Sequence, residues 1–187
     1  TFVLLGCDCR SDSLDPQNKR PKQEGVNIFE RVFGILMLSS EHLPEDVFGA
    51  PVIHPELAVQ AYTIGLFPMA DDRDDKNVHW VDPIERGVLP LNDFHVPKRL
   101  KRTVLNPPYT VRADTAVEEV IRLCAASDVG REDTWINEPI VEMYMNLFAM
   151  GHLHTVECWN GDRLVGGLYG VAIEGAFFGE SMFSTLS

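Results

Sequence analysis

The feature that most constrains the fold is a change of hydrophobic period at Gly151. Before Gly151, apolar residues recur at helical spacing in two segments, whereas after it they fall in short runs separated by turn residues. The turns are Asn160-Gly161-Asp162 and Glu174-Gly175, and short glycine-containing connections are typical of hairpins. We therefore predict two helices followed by an antiparallel meander with strands at His154–Trp159, Leu164–Ile173 and Ala176–Phe183.

The helices before the meander have recognisable ends. The first is predicted to begin at Thr115, because Thr115-Ala116-Val117-Glu118 has the form of a capping box, in which the hydroxyl and the carboxylate each satisfy a free backbone N–H. The second is predicted to run from Asn137 as N-cap to Met150. An earlier helix is predicted between Pro55 and Gly65, since proline suits a first turn and glycine a helix end.

Composition divides the chain into three parts. Residues 1–50 contain a polar, turn-rich stretch over residues 8–25 and are predicted to be a poorly ordered leader. Residues 51–97 are expected to form a small N-terminal domain with short strands near Val78–Val81 and Gly87–Leu91. Residues 98–187 are expected to form the main domain.

A local basic cluster stands against an acidic chain. The formal net charge is −12, and a charge of that size repels polyanions at long range. Lys98, Arg99, Lys101 and Arg102 nevertheless place four cations within five residues. This cluster is the best candidate for contact with nucleic-acid phosphates, although basic runs are often only solvated helix faces.

Cysteine and histidine usage indicates neither disulfides nor metal. The four cysteines, Cys7, Cys9, Cys124 and Cys158, are too sparse for a disulfide framework and lack zinc-ribbon spacing. A reducing, cytosolic compartment follows. His152 and His154 have no third ligand nearby, so we predict no metal site. No apolar run approaches the roughly 20 residues needed to span a bilayer.

Several strings occur together that are individually short but jointly specific. They are Gly65-Leu-Phe-Pro68, Trp80-Val-Asp-Pro83, Asp133-Thr-Trp-Ile-Asn137, Leu164-Val-Gly-Gly-Leu-Tyr-Gly-Val171 and Phe177-Phe-Gly-Glu-Ser-Met-Phe-Ser184. In this order the chain resembles the leucyl/phenylalanyl-tRNA–protein transferase family from about His54 to Ser184. Residues 1 to about 50 match nothing in that family.

The resemblance implies an enzyme without metal or organic cofactor. Its donor is expected to be Leu-tRNA or Phe-tRNA, and its acceptor a protein beginning with Arg or Lys that is thereby marked for degradation. The implied fold class is α+β: a small N-terminal α/β domain followed by an incomplete GCN5-related acetyltransferase-like (GNAT) domain containing the meander. The C-terminal end of the family pattern is missing, and the family's catalytic residues are expected beyond Ser187.

The resemblance also implies roles for five residues. Leu168 and Phe177 match positions that line the slot for the donor amino acid, although both are equally compatible with ordinary strand-core positions. Glu180 is expected near the aminoacyl group, paired with its α-ammonium or with the basic acceptor residue, since a buried carboxylate needs a partner. Trp135 matches a family aromatic near the terminal adenosine of tRNA, with an ordinary core tryptophan as the alternative. At Met69 the sequence departs from family members that carry Trp, so only an apolar contact with the adenosine is expected there. The basic cluster at residues 98–102 becomes the expected tRNA contact.

Two alternatives remain open at the level of sequence. A CoA-dependent acetyltransferase of the same fold would carry a glycine-rich phosphate loop at a helix N-terminus; Gly166-Gly167 begin such a motif, but Leu168 breaks it within a predicted strand. The chain could also be an inactive fragment with an exposed sheet edge prone to association.

Overall fold

The computed structural model describes residues 2–5, 53–126 and 133–185 of the chain. In this part of the chain the helices are α1 (Pro55–Thr63), α2 (Lys98–Leu105), α3 (Val117–Cys124) and α4 (Glu138–Ala149), with a 3₁₀ helix at Leu91–Asp93. The strands are β1 (Phe2–Leu5), β2 (Phe67–Met69), β3 (His79–Val81), β4 (Gly87–Pro90), β5 (Thr110–Ala113), β6 (Leu153–Asn160), β7 (Arg163–Ile173) and β8 (Ala176–Ser184). The mixed α and β content agrees with the predicted fold class.

The main sheet has six strands in the order β4-β1-β8-β7-β6-β5. Strands β5 to β8 are antiparallel neighbours in chain order, so the predicted meander is confirmed and β5 extends it. Strand β1 lies between β8 and β4, antiparallel to the first and parallel to the second. Strands β2 and β3 form a separate antiparallel pair.

The main sheet has two unlike faces. Helices α1, α3 and α4 pack on one of them, which we term the helix face, where Leu153, Thr155, Tyr169 and Val171 are at most 1% exposed. The residues that alternate with them lie on what we term the open face. There Val156 is 43% and Met182 is 64% exposed. The hydrophobic core therefore lies between the sheet and three helices.

One predicted helix cap is confirmed and the other is wrong. The Asn137 side chain accepts a hydrogen bond from the Ile140 N–H at 3.0 Å, as an N-cap should. The proposed capping box at Thr115 does not form, because the N-cap of α3 is Ala116, one residue after Thr115. The backbone N–H groups of Thr115 and Ala116 instead donate to Glu157 of β6, each at 2.8 Å. A carboxylate from a neighbouring strand thus replaces the local cap.

The structure describes four residues of the predicted leader. Phe2–Leu5 form β1 and pair with β8 along Ala176–Gly179. The rest of the predicted leader lies in residue 1 and residues 6–52, which are outside the described part of the chain. Strand β1 therefore covers that half of β8. The boundary placed between residues 97 and 98 stays a prediction.

Within the described residues, no helix is long and apolar enough to cross a membrane. The same residues contain no group of three or more His, Cys, Asp or Glu side chains arranged to hold a metal ion.

Candidate functional site

A β-bulge directs Glu180 into the protein interior. In the register of β7 with β8, Tyr169 pairs with Ser181 and Gly170 pairs with Gly179, so Glu180 is the extra residue between them. Bulges re-aim side chains and are frequent beside functional sites. Here the bulge turns Glu180 to the helix face, where it is only 9% exposed.

Three buried tyrosines surround the Glu180 carboxylate. The Tyr144 hydroxyl donates to Glu180 Oε2 at 3.1 Å and lies 3.2 Å from the Tyr62 hydroxyl. The Tyr169 ring meets the Tyr144 ring edge-on, with centroids 5.1 Å apart. Burial, followed by the nearby Glu180 charge, raises the pKa of each of the three phenols. All three hydroxyls therefore keep their protons and remain available as donors.

The Glu180 carboxyl is held near its point of titration. Burial raises its pKa to about 7, while hydrogen bonds from Tyr62 and Tyr144 and the Arg86 charge act in the opposite direction. Desolvation, which disfavours the charged form, is the larger of these effects. Near neutral pH the group can therefore be either a carboxylate or a carboxylic acid.

Three buried polar atoms near this carboxyl have no hydrogen-bond partner among the described residues. They are Glu180 Oε1, Tyr169 Oη and Arg86 Nη1. The Arg86 guanidinium lies 5.6 Å from the Phe67 ring centroid and 5.7 Å from that of Phe178, and its Nη2 donates to the Gly65 carbonyl. Unpaired buried polar atoms cost about 1–3 kcal/mol each. Together with Tyr62 and Tyr144 these residues, termed the Glu180 cluster, are a candidate binding site for a polar group.

An apolar cavity of about 290 Å³ lies on the open face of the sheet. Val156, Cys158, Leu168 and Met182 are among the residues that line it. Phe177 lies on the same face, because its ring occupies the space beside Gly170, where a Cβ would be 2.5 Å from the ring. The cavity and the ring together form an apolar strip along β7 and β8.

The structure divides the five predicted donor-site residues. Leu168 and Phe177 lie together on the open face, whereas Glu180 points to the helix face, on the other side of β8. Met69 and Trp135 lie close in the fold, since the Ala70 N–H donates to the Trp135 carbonyl at 3.3 Å. Both pack against the core while remaining partly exposed. The roles assigned to these residues stay predictions.

The four predicted tRNA-contacting cations all lie on α2. Lys98, Arg99, Lys101 and Arg102 are exposed, and no residue of this helix is buried. Among the described residues none of the four forms an ion pair. The helix therefore presents free positive charge, and its contact with tRNA stays a prediction.

Close packing explains one of the two adjacent glycines of β7. Gly166 and Gly167 lie within the strand, paired with both β6 and β8, so they form no phosphate-binding loop. A Cβ at Gly167 would lie 3.1 Å from Val120 of α3 and 2.9 Å from the Phe183 ring. Glycine at this position allows helix α3 to pack closely against the sheet.

Sequence reasoning missed part of the Glu180 cluster. Local periodicity accounts for Tyr62 and Tyr144 only as apolar residues of α1 and α4, and no sequence pattern marks Arg86. A usable signal existed, since a buried tyrosine hydroxyl normally requires a partner. A buried glutamate elsewhere in the chain was the available partner.

Two family models match the chain. A model of the leucyl/phenylalanyl-tRNA protein transferase N-terminal domain matches residues 52–84. The model described as leucyl/phenylalanyl-tRNA protein transferase matches residues 88–187. Because the second match covers more than half of the chain, the chain belongs to the leucyl/phenylalanyl-tRNA protein transferase family.

Curated relatives carry the same family name. A leucyl/phenylalanyl-tRNA–protein transferase of Caulobacter vibrioides is 61% identical over 127 residues, which are 68% of this chain and 58% of the relative. The protein of that name from Phenylobacterium zucineum is 56% identical over 126 residues, 67% of this chain and 57% of the relative. The protein of that name from Rhodospirillum rubrum is 53% identical over 132 residues, which are 71% of this chain and 62% of the relative. The chain thus spans about three fifths of these relatives.

Proposed function

We propose that the protein transfers Leu or Phe from aminoacyl-tRNA to the N-terminal Arg or Lys of other proteins, in the cytosol, and thereby marks them for degradation. The observation that carries this proposal is the apolar strip on the open face, with Leu168 in the cavity wall and Phe177 beside it. The antiparallel meander is compatible with the GNAT-like fold expected for such an enzyme.

The apolar strip suits the side chain of the donor amino acid. Its cavity of about 290 Å³ is just below the range for small-molecule sites, which is about 300–1,000 Å³. An apolar slot distinguishes side chains at about 1–3 kcal/mol per methylene. Such a slot accepts both Leu and Phe while discriminating against smaller side chains.

The Glu180 cluster suits the basic residue of the acceptor. Of the two partners expected for this carboxylate, the acceptor side chain is better supported than the donor's α-ammonium, because β8 lies between Glu180 and the apolar strip. The unpartnered Glu180 Oε1 and Tyr169 Oη offer acceptors to a cationic group. A long Arg or Lys side chain would reach them past Glu180–Ser184, the half of β8 that β1 does not cover.

Two further groups would hold the tRNA. Trp135 and Met69, neighbours in the fold, would contact the terminal adenosine, with the Trp135 ring stacking on the base and Met69 giving an adaptable apolar contact. The cations of α2 would contact phosphates. No metal or organic cofactor is part of this proposal.

The reaction needs little beyond positioning. A free α-amino group has a pKa of about 7.7–8.0, so a useful fraction of the acceptor is already a neutral nucleophile near neutral pH. Holding that amine against the aminoacyl ester removes much of the entropic barrier. By resemblance, further catalytic groups lie beyond Ser187.

The test is transfer of radiolabelled Leu from Leu-tRNA to a peptide beginning with Arg. The 187-residue chain is compared with the chain extended by its natural downstream sequence, and a peptide beginning with Glu serves as control. Transfer to the Arg peptide alone is expected, at least by the extended chain. Absence of transfer by both, with acetylation of the peptide from acetyl-CoA, would overturn the proposal in favour of an acetyltransferase; absence of both reactions would indicate an inactive fragment.

A further inference from the structure

Arg86 is a cation without a counter-ion in the described part of the chain. It forms none of the ion pairs among the described residues, and its buried Nη1 has no hydrogen-bond partner among them. Buried charges are costly and are nearly always paired. In the proposed function the Glu180 and Tyr169 side chains contact the acceptor's basic group, whereas Arg86 has no role.

The Arg86 side chain is fixed from two directions. Its Nη2 donates to the carbonyl of Gly65, just after the end of α1. Its guanidinium lies 5.6 Å from the Phe67 ring centroid and 5.7 Å from that of Phe178, distances at which a cation is attracted to an aromatic ring. Nη1 is thus held in place, so little conformational entropy is lost when it donates to a ligand.

The strand register places Arg86 and Glu180 on opposite sides of the end of β1. Phe2 pairs with Gly87 of β4 and with Gly179 of β8. Arg86 directly precedes Gly87 in the chain. Glu180 directly follows Gly179, so both residues lie one position beyond this row of the sheet. Strands β4 and β8 are two strand spacings apart, about 10 Å, so the two side chains can contact different groups of one ligand.

The three unpartnered atoms of the Glu180 cluster define the chemistry of that ligand. Glu180 Oε1 and Tyr169 Oη can accept hydrogen bonds, whereas Arg86 Nη1 can only donate. An N-terminal Lys or Arg residue carries the complementary groups, since its side chain donates and its main-chain carbonyl accepts. An anion would also satisfy Nη1, but it would lie near the Glu180 carboxylate, and like charges repel.

We propose that Arg86 is a specificity-determining residue for the acceptor, and that its Nη1 donates to the main-chain carbonyl of the acceptor's N-terminal residue. Glu180 and Tyr169 accept from the side chain of the same residue. Two of the three groups on its α-carbon are then held, and the third, the α-amino group, is left free to attack the aminoacyl ester. The proposal rests on the transfer function proposed above and adds to it a contact with the acceptor's backbone.

A binding measurement tests this contact without the transfer reaction. L-Argininamide keeps the carbonyl of an N-terminal arginine, whereas agmatine has the same amine and guanidinium but lacks that carbonyl. Calorimetric titration into the 187-residue chain should give an affinity about tenfold or more higher for argininamide, the effect expected of a hydrogen bond to a charged group. Arg86→Met should bind the two compounds about equally, and Arg163→Gln, at an exposed arginine of β7, should behave as the parent.

Three outcomes of the titration would overturn the proposal. They are equal affinities of the parent for the two compounds, the same preference in Arg86→Met as in the parent, and no binding of either compound by the parent.

Transfer kinetics separate this proposal from the function on which it rests. In the transferring form of the protein, kcat/KM for a peptide beginning with Arg is compared with that for the same peptide carrying an (E)-alkene in place of its first peptide bond. The parent should prefer the unmodified peptide about tenfold or more, mainly through KM, and Arg86→Met should lose most of this preference. Because both values are measured on one variant, their ratio does not depend on how much of that variant is folded.

The outcomes of the kinetic test are distinguishable. An unchanged ratio in Arg86→Met would overturn the role of Arg86 and leave the transfer function intact. A parent that prefers argininamide to agmatine but transfers Leu to neither peptide would overturn the transfer function and support the binding contact.

Discussion

Glu157 and Glu180 are two buried carboxylates whose surroundings shift their protonation in opposite directions. Glu157 accepts hydrogen bonds from the Thr115 and Ala116 N–H groups, the Thr155 hydroxyl and the Trp159 indole. Although burial raises its pKa, these hydrogen bonds together lower the pKa to about 2. Glu180 has too few donors to offset desolvation, and its pKa rises to about 7. The first carboxylate stabilises the fold, whereas the second weakens it when charged.

Replacing Glu180 by Gln should remove a pH dependence of stability. A folded-state pKa of about 7 against an ordinary 4.5 means that the folded protein holds the extra proton between these values. The contribution of Glu180 to stability is therefore full below pH 4.5 and declines as pH rises towards 7. The loss is about 3 kcal/mol, at 1.36 kcal/mol per unit. Denaturant unfolding at about pH 5 and about pH 8 measures it.

In that experiment Glu180→Gln should be more stable than the parent at the higher pH and similar to it at the lower pH. Glu142→Gln, on the exposed side of α4, serves as the matched control and should follow the parent. Parallel pH profiles for parent and Glu180→Gln would contradict the assignment.

Replacing Glu157 by Gln should have the opposite sign. Its lowered pKa means that Glu157 contributes stability above pH 4.5, and that this contribution declines as pH falls towards 2. Hydrogen bonds to charged groups contribute about 1.5–3 kcal/mol, so Glu157→Gln should lower the free energy of unfolding by about 2 kcal/mol near neutral pH. The difference from the parent should shrink in acid.

Glu118→Gln is the control for Glu157. Glu118 accepts a hydrogen bond from Arg122 at 2.8 Å, but both of these side chains are about half exposed. Exposed ion pairs contribute about 0–1 kcal/mol. Equal effects of the two substitutions on the free energy of unfolding would show that the buried Glu157 contributes no more stability than an exposed ion pair.

At the scale of elements, local sequence patterns predicted strands and helix ends better than they predicted contacts between segments distant in the chain. The meander, the Asn137 cap and the helix ends at Gly65 and Gly151 follow from local rules, and both glycines have positive φ, +91° and +79°. The cap at Thr115 failed because a side chain 42 residues away supplies the bond. The bulge at Glu180 and the Tyr62–Tyr144 contact depend on the register and packing of distant segments, which no local pattern encodes.

Neutralising α2 should weaken tRNA binding in a salt-dependent way. Arg99→Gln with Arg102→Gln removes two free cations from an exposed helix. Each phosphate contact contributes about 0.7–0.9 to the slope of log affinity against log salt, so the slope should fall by about 1 to 2. Titration of tRNA at several salt concentrations measures this, with exposed Arg163→Gln as control. An unchanged slope would exclude α2 as the phosphate contact.

At the scale of the whole molecule, polar and apolar surfaces are unevenly distributed. The region from β4 to α2 exposes many large apolar side chains. Leu100 is 44%, Val104 63% and Leu105 69% exposed. The open face adds Val111, Val156 and Met182. Exposed apolar surface of this kind favours association, despite a net charge of −12.

The 187-residue chain should therefore self-associate through its exposed apolar surface. Leu100→Ser combined with Val104→Ser should increase the monomer fraction, because it removes two exposed apolar groups from α2 without touching the core. Sedimentation velocity over a range of protein concentrations measures the effect, and Thr103→Ser on the same helix is the control. A parent chain that remains monomeric throughout would contradict the expectation.

Strand β8 lies between the apolar strip and the Glu180 cluster, and a single extra residue sets which side chain faces each of them. Phe177 and Met182 serve one side, and Glu180, in the bulge, serves the other. Substitution of one side chain of β8 alters only the site that this side chain faces. Loss or gain of one residue next to the bulge would turn the side chains of the shifted segment to the opposite face of the sheet, so both sites would be altered. An insertion or deletion that leaves both sites intact therefore belongs in the turns at residues 161–162 and 174–175, which connect the strands of the two hairpins, and not in β8.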